Sequence, residues 1–313
     1  MRPPTALTIA GSDPSGGAGF QADLKTFTAL GVYGTTAITA VIAQNTRGVQ
    51  SVTPMTAEDV QSQLTSVLDD IPLDATKLGM LTSAEVVAAV AETMAARAGQ
   101  FGTVVLDPVM VATSGDELLP RQAAQNLREL LLPLVHVITP NLPEAAKLLD
   151  AEVAPDVETM QEQAVRLQQL GPAVVVLKGG HHDDDEVFDV VAHPGGVDLL
   201  RAERVRTRAT HGTGCTLSAA IAAQYARIAM VRSAGPDALG ALAATMDASH
   251  ERIGESEAGD DLAAVGAGRD FLQRALIGGA AYDLSFAPEQ GHGPVDHLVT
   301  VARREPGGHT ASA

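Results

Sequence analysis

The chain has 313 residues, 45% of them apolar, enough to bury one large core or two smaller ones. A formal net charge of -17, with 3% aromatic residues and no tryptophan, argues against a phosphate-tracking groove with stacking platforms, and so against a nucleic-acid partner. One cysteine leaves no intramolecular disulfide, no run approaches the roughly 18 apolar residues of a membrane span, and Met1-Arg2-Pro3-Pro4 has no signal-peptide architecture, so a cytoplasmic protein without a membrane partner is expected.

Residues 6–10 are a short apolar run that stops at Gly11-Ser-Asp-Pro-Ser-Gly-Gly-Ala-Gly19. Phe20, Leu24, Phe27 and Leu30 then recur at helical spacing, which predicts strand, glycine-rich loop and helix. The alternation continues with strand-like 35–43, helix 57–68, strand 75–78, an Ala-rich helix over 83–97, strand 103–106, helix 121–132, strand 135–138, helices 144–149 and 157–170, and strand 173–177. The last two strands are continuous apolar runs of the kind buried on both faces, so a parallel sheet with helices on both sides is expected. Segments 186–192 and 197–205, parted by His193-Pro-Gly-Gly196, read as a β-hairpin on an edge or as a flap. The turn Thr210-His-Gly-Thr-Gly-Cys-Thr216 leads into an apolar helical run over 217–226. Residues 230–268 mix Gly, Ala, Pro and acids, with a weaker helix over 237–250 and a stretch over 254–261 polar enough for a solvated loop; 271–277 reads as a helix and 305–313 as a frayed tail.

Ligands of open α/β sheets bind at the carboxyl ends of the strands, so the polar residues after each strand are the ones to collect. They are Gly11, Asp13 and glycines 16, 17 and 19; Gln44-Asn45; Gly79-Met80; Asp107-Pro-Val-Met110; Thr139-Pro-Asn-Leu-Pro-Glu144; and Lys178-Gly-Gly-His181. Each alone is an ordinary loop former, but with 210–216 they form a coherent set. In 210–216 the glycines let backbone approach a ligand, and the helix N-terminus offers free N–H groups and partial positive charge to an anion. Such a site drives a thiol toward thiolate, so Cys215 is expected to accept a proton near neutral pH. A glycine-rich turn capping a core helix around a buried cysteine would carry the same letters.

These segments, in this order and spacing, resemble the bacterial hydroxymethylpyrimidine/phosphomethylpyrimidine kinases of thiamine biosynthesis, members of the ribokinase superfamily. The likeness runs from about residue 6 to 226 and returns at Gly291-His-Gly-Pro-Val-Asp-His-Leu298. It implies a three-layer α/β/α fold, a single kinase domain over 1–313, usually a homodimer, that phosphorylates 4-amino-5-hydroxymethyl-2-methylpyrimidine and then its monophosphate with MgATP. Residues 231–268 look longer than the family's corresponding connection and read as an insertion.

The resemblance also implies roles that the residue types can fill. Backbone N–H groups of Gly212, Thr213, Gly214 and Cys215 would hold the transferring phosphoryl group, and Lys178 would balance phosphate charge. Asp107, Asn141 and Glu144 would hold Mg²⁺, through waters, because Mg²⁺ dehydrates reluctantly. Asn141, Lys178 and Thr210 would face the nucleotide. Cys215 would stand where many sugar kinases of the superfamily use Asp. Gln44 would read the pyrimidine, since one amide offers a donor and an acceptor to an amino group and its adjacent ring nitrogen. Met80 would pack on the ring, with Gly11, Asp23 and Val109 as further pocket members. Lys178 also reads as an ordinary surface lysine, Glu144 as a first-turn acid favoured by its helix dipole, and Asp23 as a polar residue on a surface helix. A pyridoxal kinase of the same superfamily is the alternative enzyme, and Gln44 disfavours it. A Rossmann-type oxidoreductase would fit the alternation, but no G-x-G-x-x-G follows a predicted strand and no G-x-x-x-x-G-K-[ST] is present, which argues against the Rossmann and P-loop readings. A non-catalytic pyrimidine-binding regulatory protein would be expected to have lost Cys215, Lys178, Asp107 or Glu144, and all four are present.

Overall fold

The computed structural model describes residues 2–110, 119–180, 185–234, 257–282 and 284–301. An eight-stranded sheet forms the middle layer. It contains β1 (Thr5–Ala10), β2 (Tyr33–Ile38), β5 (Ala75–Leu78), β6 (Thr103–Leu106), β7 (Val137–Ile138), β8 (Val174–Lys178), β9 (Glu186–His193) and β10 (Gly196–Glu203), in the order β10-β9-β8-β7-β6-β5-β1-β2. All pairings from β2 through β8 are parallel, and the β9–β10 hairpin adds antiparallel to β8 at the edge.

Alternation along the strands explains the three layers. Leu7, Ile9, Leu78 and Leu106 bury into one core, under α2 (Ala57–Leu68), α3 (Ala84–Ala96), α4 (Arg121–Asn126), α5 (Leu142–Leu149) and α6 (Val157–Gln168). Ala6, Ala75, Val105, Val137 and Val174 point the other way, against α1 (Gly19–Ala29), α7 (Thr213–Ala234) and α8 (Glu257–Gly279). The strand residues on this second face are small, and α7 answers with Ala219, Ala222, Ala223 and Ala226, so it packs close to the sheet and is apolar nearly all round. Side-chain caps start the helices where the sequence places their polar signals: Thr56 with Asp59 on α2, Ser83 on α3, Asn141 with Glu144 on α5 and Asp156 on α6.

The structure corrects several boundaries. The strand expected over 35–43 breaks at Thr39. Before it β2 stays in the sheet; after it β3 (Ala40–Asn45) leaves to pair with β4 (Gly48–Pro54) as a separate antiparallel ribbon. The apolar run carries no break signal, because the bend is held from outside: the Thr39 hydroxyl donates to the Met80 carbonyl at 2.6 Å and its N–H to the Ala10 carbonyl at 3.1 Å. The expected hairpin at 186–205 is an edge of the main sheet. The helix of 121–132 is α4 followed by a π turn, Leu127–Leu131, and a 3-10 turn, Leu132–Leu134. The loop expected over 254–261 is overturned in its latter part, since α8 begins at Glu257 and buries Asp260 and Asp261, while the helix expected over 271–277 is only the end of α8. Their carboxylates are tolerated there through partners: Arg232 for Asp260, His136 and Tyr225 for Asp261. His181, the expected helix 237–250 and the tail 305–313 lie outside the described residues.

Candidate active site

The order in which strands are added to the sheet reverses at β1. From it the sheet runs one way to β2 and the other way through β5 to β8, so the loops after β1 and β5 leave in opposite senses and open a crevice at their carboxyl ends. A cavity of about 620 Å³ occupies this crevice and extends along the ends of β6 and β8 to α8. Gly11, Gln44, Met80, Asp107, Val109, Asn141, Glu144, Lys178, Thr210 and Gly212 through Cys215 all line it.

At one end the wall is apolar. Ala40, Ile42 and Met80 form a small buried cluster with Val49 and Val109 packed against it. Gly11 fits closely there: a Cβ would come within 3.1 Å of the Ile42 side chain and touch the Met80 sulfur at 3.7 Å. Gln44 sits at the bulge of the β3–β4 ribbon and brings the amide to this apolar end.

In the middle lies the N-terminus of α7. Gly212 precedes it at φ 78°, and a Cβ would run into the Gly17 carbonyl, so the first loop and the 210–216 turn interlock through two glycine backbones. Asp13 fastens them. It is fully buried and accepts from the Ser15 and Ala18 N–H groups at 2.8 and 2.7 Å, with His211 Nε2 at 2.7 Å. Burial would raise the Asp13 pKa, but His211, the Ser15 hydroxyl and the Ala18 N–H outweigh it and hold the carboxyl well below the usual range. The terminal segment 291–298 closes the arrangement: the His211 N–H donates to the Gly293 carbonyl at 3.0 Å, the His292 N–H donates to the Thr46 carbonyl at 2.8 Å, and His297 Nε2 lies 3.0 Å from the Thr216 hydroxyl.

The other end is charged. Lys178 Nζ donates to Asp107 Oδ1 at 3.2 Å, and Thr139 and Ser218 hydroxyls approach the same carboxylate at 3.4 Å. A Cβ on Gly214 would stand 3.3 Å from Asp107 and 3.4 Å from Lys178, which puts the first turn of α7 directly on this pair. Burial opposes the Lys178 charge, but Asp107 and Glu144 outweigh it and raise its pKa. Asn141 and Glu144 form a reciprocal cap at 2.8 Å in each direction. Burial pushes the Glu144 carboxyl up to about 7, with Lys178 pulling down and Asp107 pushing further up. The oxygens here are hard donors, few, and already engaged by protein groups. That suits Mg²⁺, which keeps its waters and takes most other ligands from phosphate, and no group of three or more ligating side chains is present among the described residues.

Cys215 lies on the wall at the start of α7, near the Gly19 N–H of α1. The expectation of a thiolate near neutral pH is overturned. Burial pushes the thiol up to about 11; Lys77 pulls it down, and Asp23 and Asp107 add to the rise. Desolvation in a crevice that also holds carboxylates outweighs one helix N-terminus. Asp23 is neither a surface residue nor on the cavity wall. It is fully buried behind the wall, where both its oxygens accept from Lys77 Nζ, at 3.0 and 2.9 Å, and one also from the Thr8 hydroxyl at 2.6 Å. Lys77 itself lines the cavity floor. Burial opposes its charge, but Asp23, Cys215 and Asp107 outweigh it and keep the ammonium protonated.

Sequence reasoning missed Lys77, His211, Asp189 and Arg269, all of which line the cavity. Lys77 lies inside a strand rather than after one, and Arg269 on a helix more than fifty residues beyond the last recognised motif of the first stretch. Only a lysine in an otherwise apolar buried strand was a readable signal.

Compared with known proteins, residues 13–260 match the family model described as phosphomethylpyrimidine kinase. The hydroxymethylpyrimidine/phosphomethylpyrimidine kinase of Escherichia coli K12 is 54% identical over 71% of this chain and 83% of its own. The chain belongs to the phosphomethylpyrimidine kinase family. The family's enzyme from Streptomyces coelicolor is 45% identical over 72% of this chain and 82% of its own. Among solved structures, an ADP complex of Bacillus subtilis pyridoxal kinase superposes with a TM-score of 0.77 at 35% identity, covering 95% of this chain and 98% of that one. A phosphomethylpyrimidine kinase from Clostridium difficile superposes with a TM-score of 0.63 at 39% identity, covering 71% and 90%. Membership makes the chain a phosphotransferase of ribokinase-like fold.

Proposed function

We propose that the chain transfers the γ-phosphoryl group of ATP to the hydroxymethyl oxygen of 4-amino-5-hydroxymethyl-2-methylpyrimidine, and a second phosphoryl group to the resulting monophosphate, for thiamine biosynthesis in the cytoplasm. The observation that carries this reading is the order of the cavity: an apolar end with one amide, a helix N-terminus in the middle, and a Lys178–Asp107–Glu144 cluster beyond it. An acceptor ring and a phosphate chain, laid end to end, meet at Gly212 to Cys215. Residues 1–313 act as one kinase domain in this reading. A homodimer is proposed with it, supported by Val41 and Val52, which are exposed on a two-stranded ribbon that no third strand covers among the described residues.

In this mechanism Gln44 orients the ring through paired donor and acceptor, while Ile42, Met80 and Val109 exclude water from its faces. Backbone N–H groups of the first turn of α7 hold the oxygens of the group in flight, and Lys178 offsets the charge shared between the two phosphates. Asp107 and Glu144 would hold Mg²⁺ through waters; the ion supplies charge neutralisation to the nucleotide phosphates when bound. Cys215 stands beside the acceptor oxygen as a thiol rather than a ready base. In a loose transfer the attacking hydroxyl keeps its proton until late, so Cys215 takes that proton only through the small thiolate fraction that a pKa of about 11 leaves. The second acceptor is a phosphate monoester, already anionic, and needs no base.

A coupled ADP-release assay with the hydroxymethylpyrimidine and with pyridoxal, side by side, tests the reading. The pyridoxal kinases among the structural neighbours make pyridoxal the competing acceptor. Turnover of pyridoxal equal to or better than that of the pyrimidine overturns the proposal.

A further inference from the structure

β8 ends at Lys178, opposite Asp189 of β9; β9 runs on to Glu186 paired with β10 alone, so the backbone past Lys178 leaves the ladder and must find other hydrogen bonds. Gly179 finds a side chain: its N–H donates to Asp189 Oδ1 at 2.9 Å. A Cβ at Gly179 would collide with the Phe188 carbonyl, so the turn is pressed against β9 as well as bonded to it. The second Asp189 oxygen accepts from Arg269 Nε of α8 at 2.7 Å. The Arg269 guanidinium also donates to three main-chain carbonyls of the β9–β10 edge, Arg201 at 2.8 Å, Val187 at 3.1 Å and Leu200 at 3.3 Å. Both Arg269 and Asp189 are largely buried on the cavity wall, and Gly180 lines it beside Lys178.

A buried ion pair is weak support for stability, since the desolvation of both charges offsets most of their attraction. Holding geometry is what this one does well. The planar fork of Arg269 fixes its own plane against three carbonyls, and Asp189 passes that orientation to Gly179. We infer that Arg269 and Asp189 are positioning residues for phosphoryl transfer: they set the Lys178-Gly179-Gly180 turn, and with it the cation that meets the nucleotide phosphates, and so tie nucleotide binding to helix α8. This rests on reading the Lys178 end as the phosphate end.

The test uses the full chain and the variants Arg269→Met, Arg269→Lys and Asp189→Asn. Amide exchange at Gly179 reports the turn directly, and titration calorimetry gives separate affinities for the ATP analogue AMP-PCP with Mg²⁺ and for the hydroxymethylpyrimidine. Arg269→Met and Asp189→Asn should speed exchange at Gly179 and weaken AMP-PCP by roughly ten- to hundredfold, the usual cost of a lost charged hydrogen bond, with pyrimidine affinity within about twofold of the unmodified protein. Arg269→Lys, which keeps the charge without the fork, should fall between. Faster exchange with unchanged AMP-PCP affinity overturns the inference, as does unchanged exchange. Equal weakening of both ligands also overturns it, because it marks a general loosening of the sheet edge. Should Arg269→Met not fold, Asp189→Asn and Arg269→Lys decide alone. A protein that binds AMP-PCP but phosphorylates neither acceptor sinks the proposed function and leaves this measurement intact; one that binds no nucleotide overturns both.

Discussion

Lys77 and Asp23 form a fully buried ion pair directly beneath the cavity floor, with Nζ 2.9 Å from one carboxylate oxygen and 3.0 Å from the other. Neither side chain reaches solvent, and the pair ties α1, which carries Asp23, to β5, which carries Lys77. Removing one partner leaves an uncompensated charge in the core. Lys77→Met should therefore destabilise the fold by about 3–5 kcal/mol, and Lys77→Met/Asp23→Leu by much less. Urea denaturation of the unmodified protein and the two variants checks this, and a double variant at least as destabilised as Lys77→Met would be the contrary result. Because Cys215 is the chain's single cysteine, iodoacetamide labelling reports its thiol alone, and its alkylation midpoint should move upward in Lys77→Met.

Cys215 makes a pH prediction with a definite sign. Its thiol is raised to about 11, so it is protonated at neutral pH and the thiolate fraction grows about tenfold per pH unit up to that value. The single-turnover rate of the first phosphorylation should climb between pH 7 and 9 and become flat in Cys215→Ala, with a loss in the usual ~10²–10⁴-fold range for a general base. The second phosphorylation should show neither effect. Equal losses in both steps would make Cys215 a packing residue.

Glu144 predicts a pH-dependent metal requirement. With its carboxyl raised to about 7, it is neutral below that pH and charged above it. The Mg²⁺ concentration for half-maximal rate should fall as pH rises through 7, and Glu144→Gln should have a higher, pH-independent requirement. Its fold should survive, since Gln at the third helical position still completes the cap with Asn141. A wild-type Mg²⁺ dependence in the variant would remove Glu144 from the metal.

Gln44 predicts acceptor choice. A polar amide left without its partner costs ~1–3 kcal/mol, so kcat/KM for the hydroxymethylpyrimidine should exceed that for pyridoxal by about five- to 150-fold. Gln44→Met should narrow the ratio from the pyrimidine side. A ratio unaltered by the substitution would place discrimination elsewhere.

His297 predicts acid sensitivity. Burial lowers its pKa to about 4, Lys25 and His211 lower it further, and Asp296 and Asp13 push back. A folded-state pKa below the unfolded one means stability that is complete above about 6.5 and lost as pH falls toward 4, up to about 3 kcal/mol from this group. Urea midpoints at pH 7 and pH 5 should converge in His297→Gln relative to the unmodified protein.

The sequence by itself determined the alternation of strands and helices, because periodicity and caps are local: helix Ala57–Leu68 and strands Ala75–Leu78 and Thr103–Leu106 lie where the pattern puts them. It also supplied the wall of the cavity, since each motif sits at a strand end and parallel topology gathers strand ends at one edge of the sheet. The tertiary structure alone decided the bend at Thr39, which a carbonyl 41 residues away secures, and the extent of α8, where Asp260 and Asp261 are buried against partners on other elements. It also decided the protonation of the site. The letters around Cys215 describe a helix N-terminus that favours thiolate, yet the thiol's pKa depends on how much water the fold removes and on Asp23, Asp107 and Lys77, charges that arrive from separate elements. Electrostatics acts through space, and the spacing of residues along a chain does not give their distances across a core.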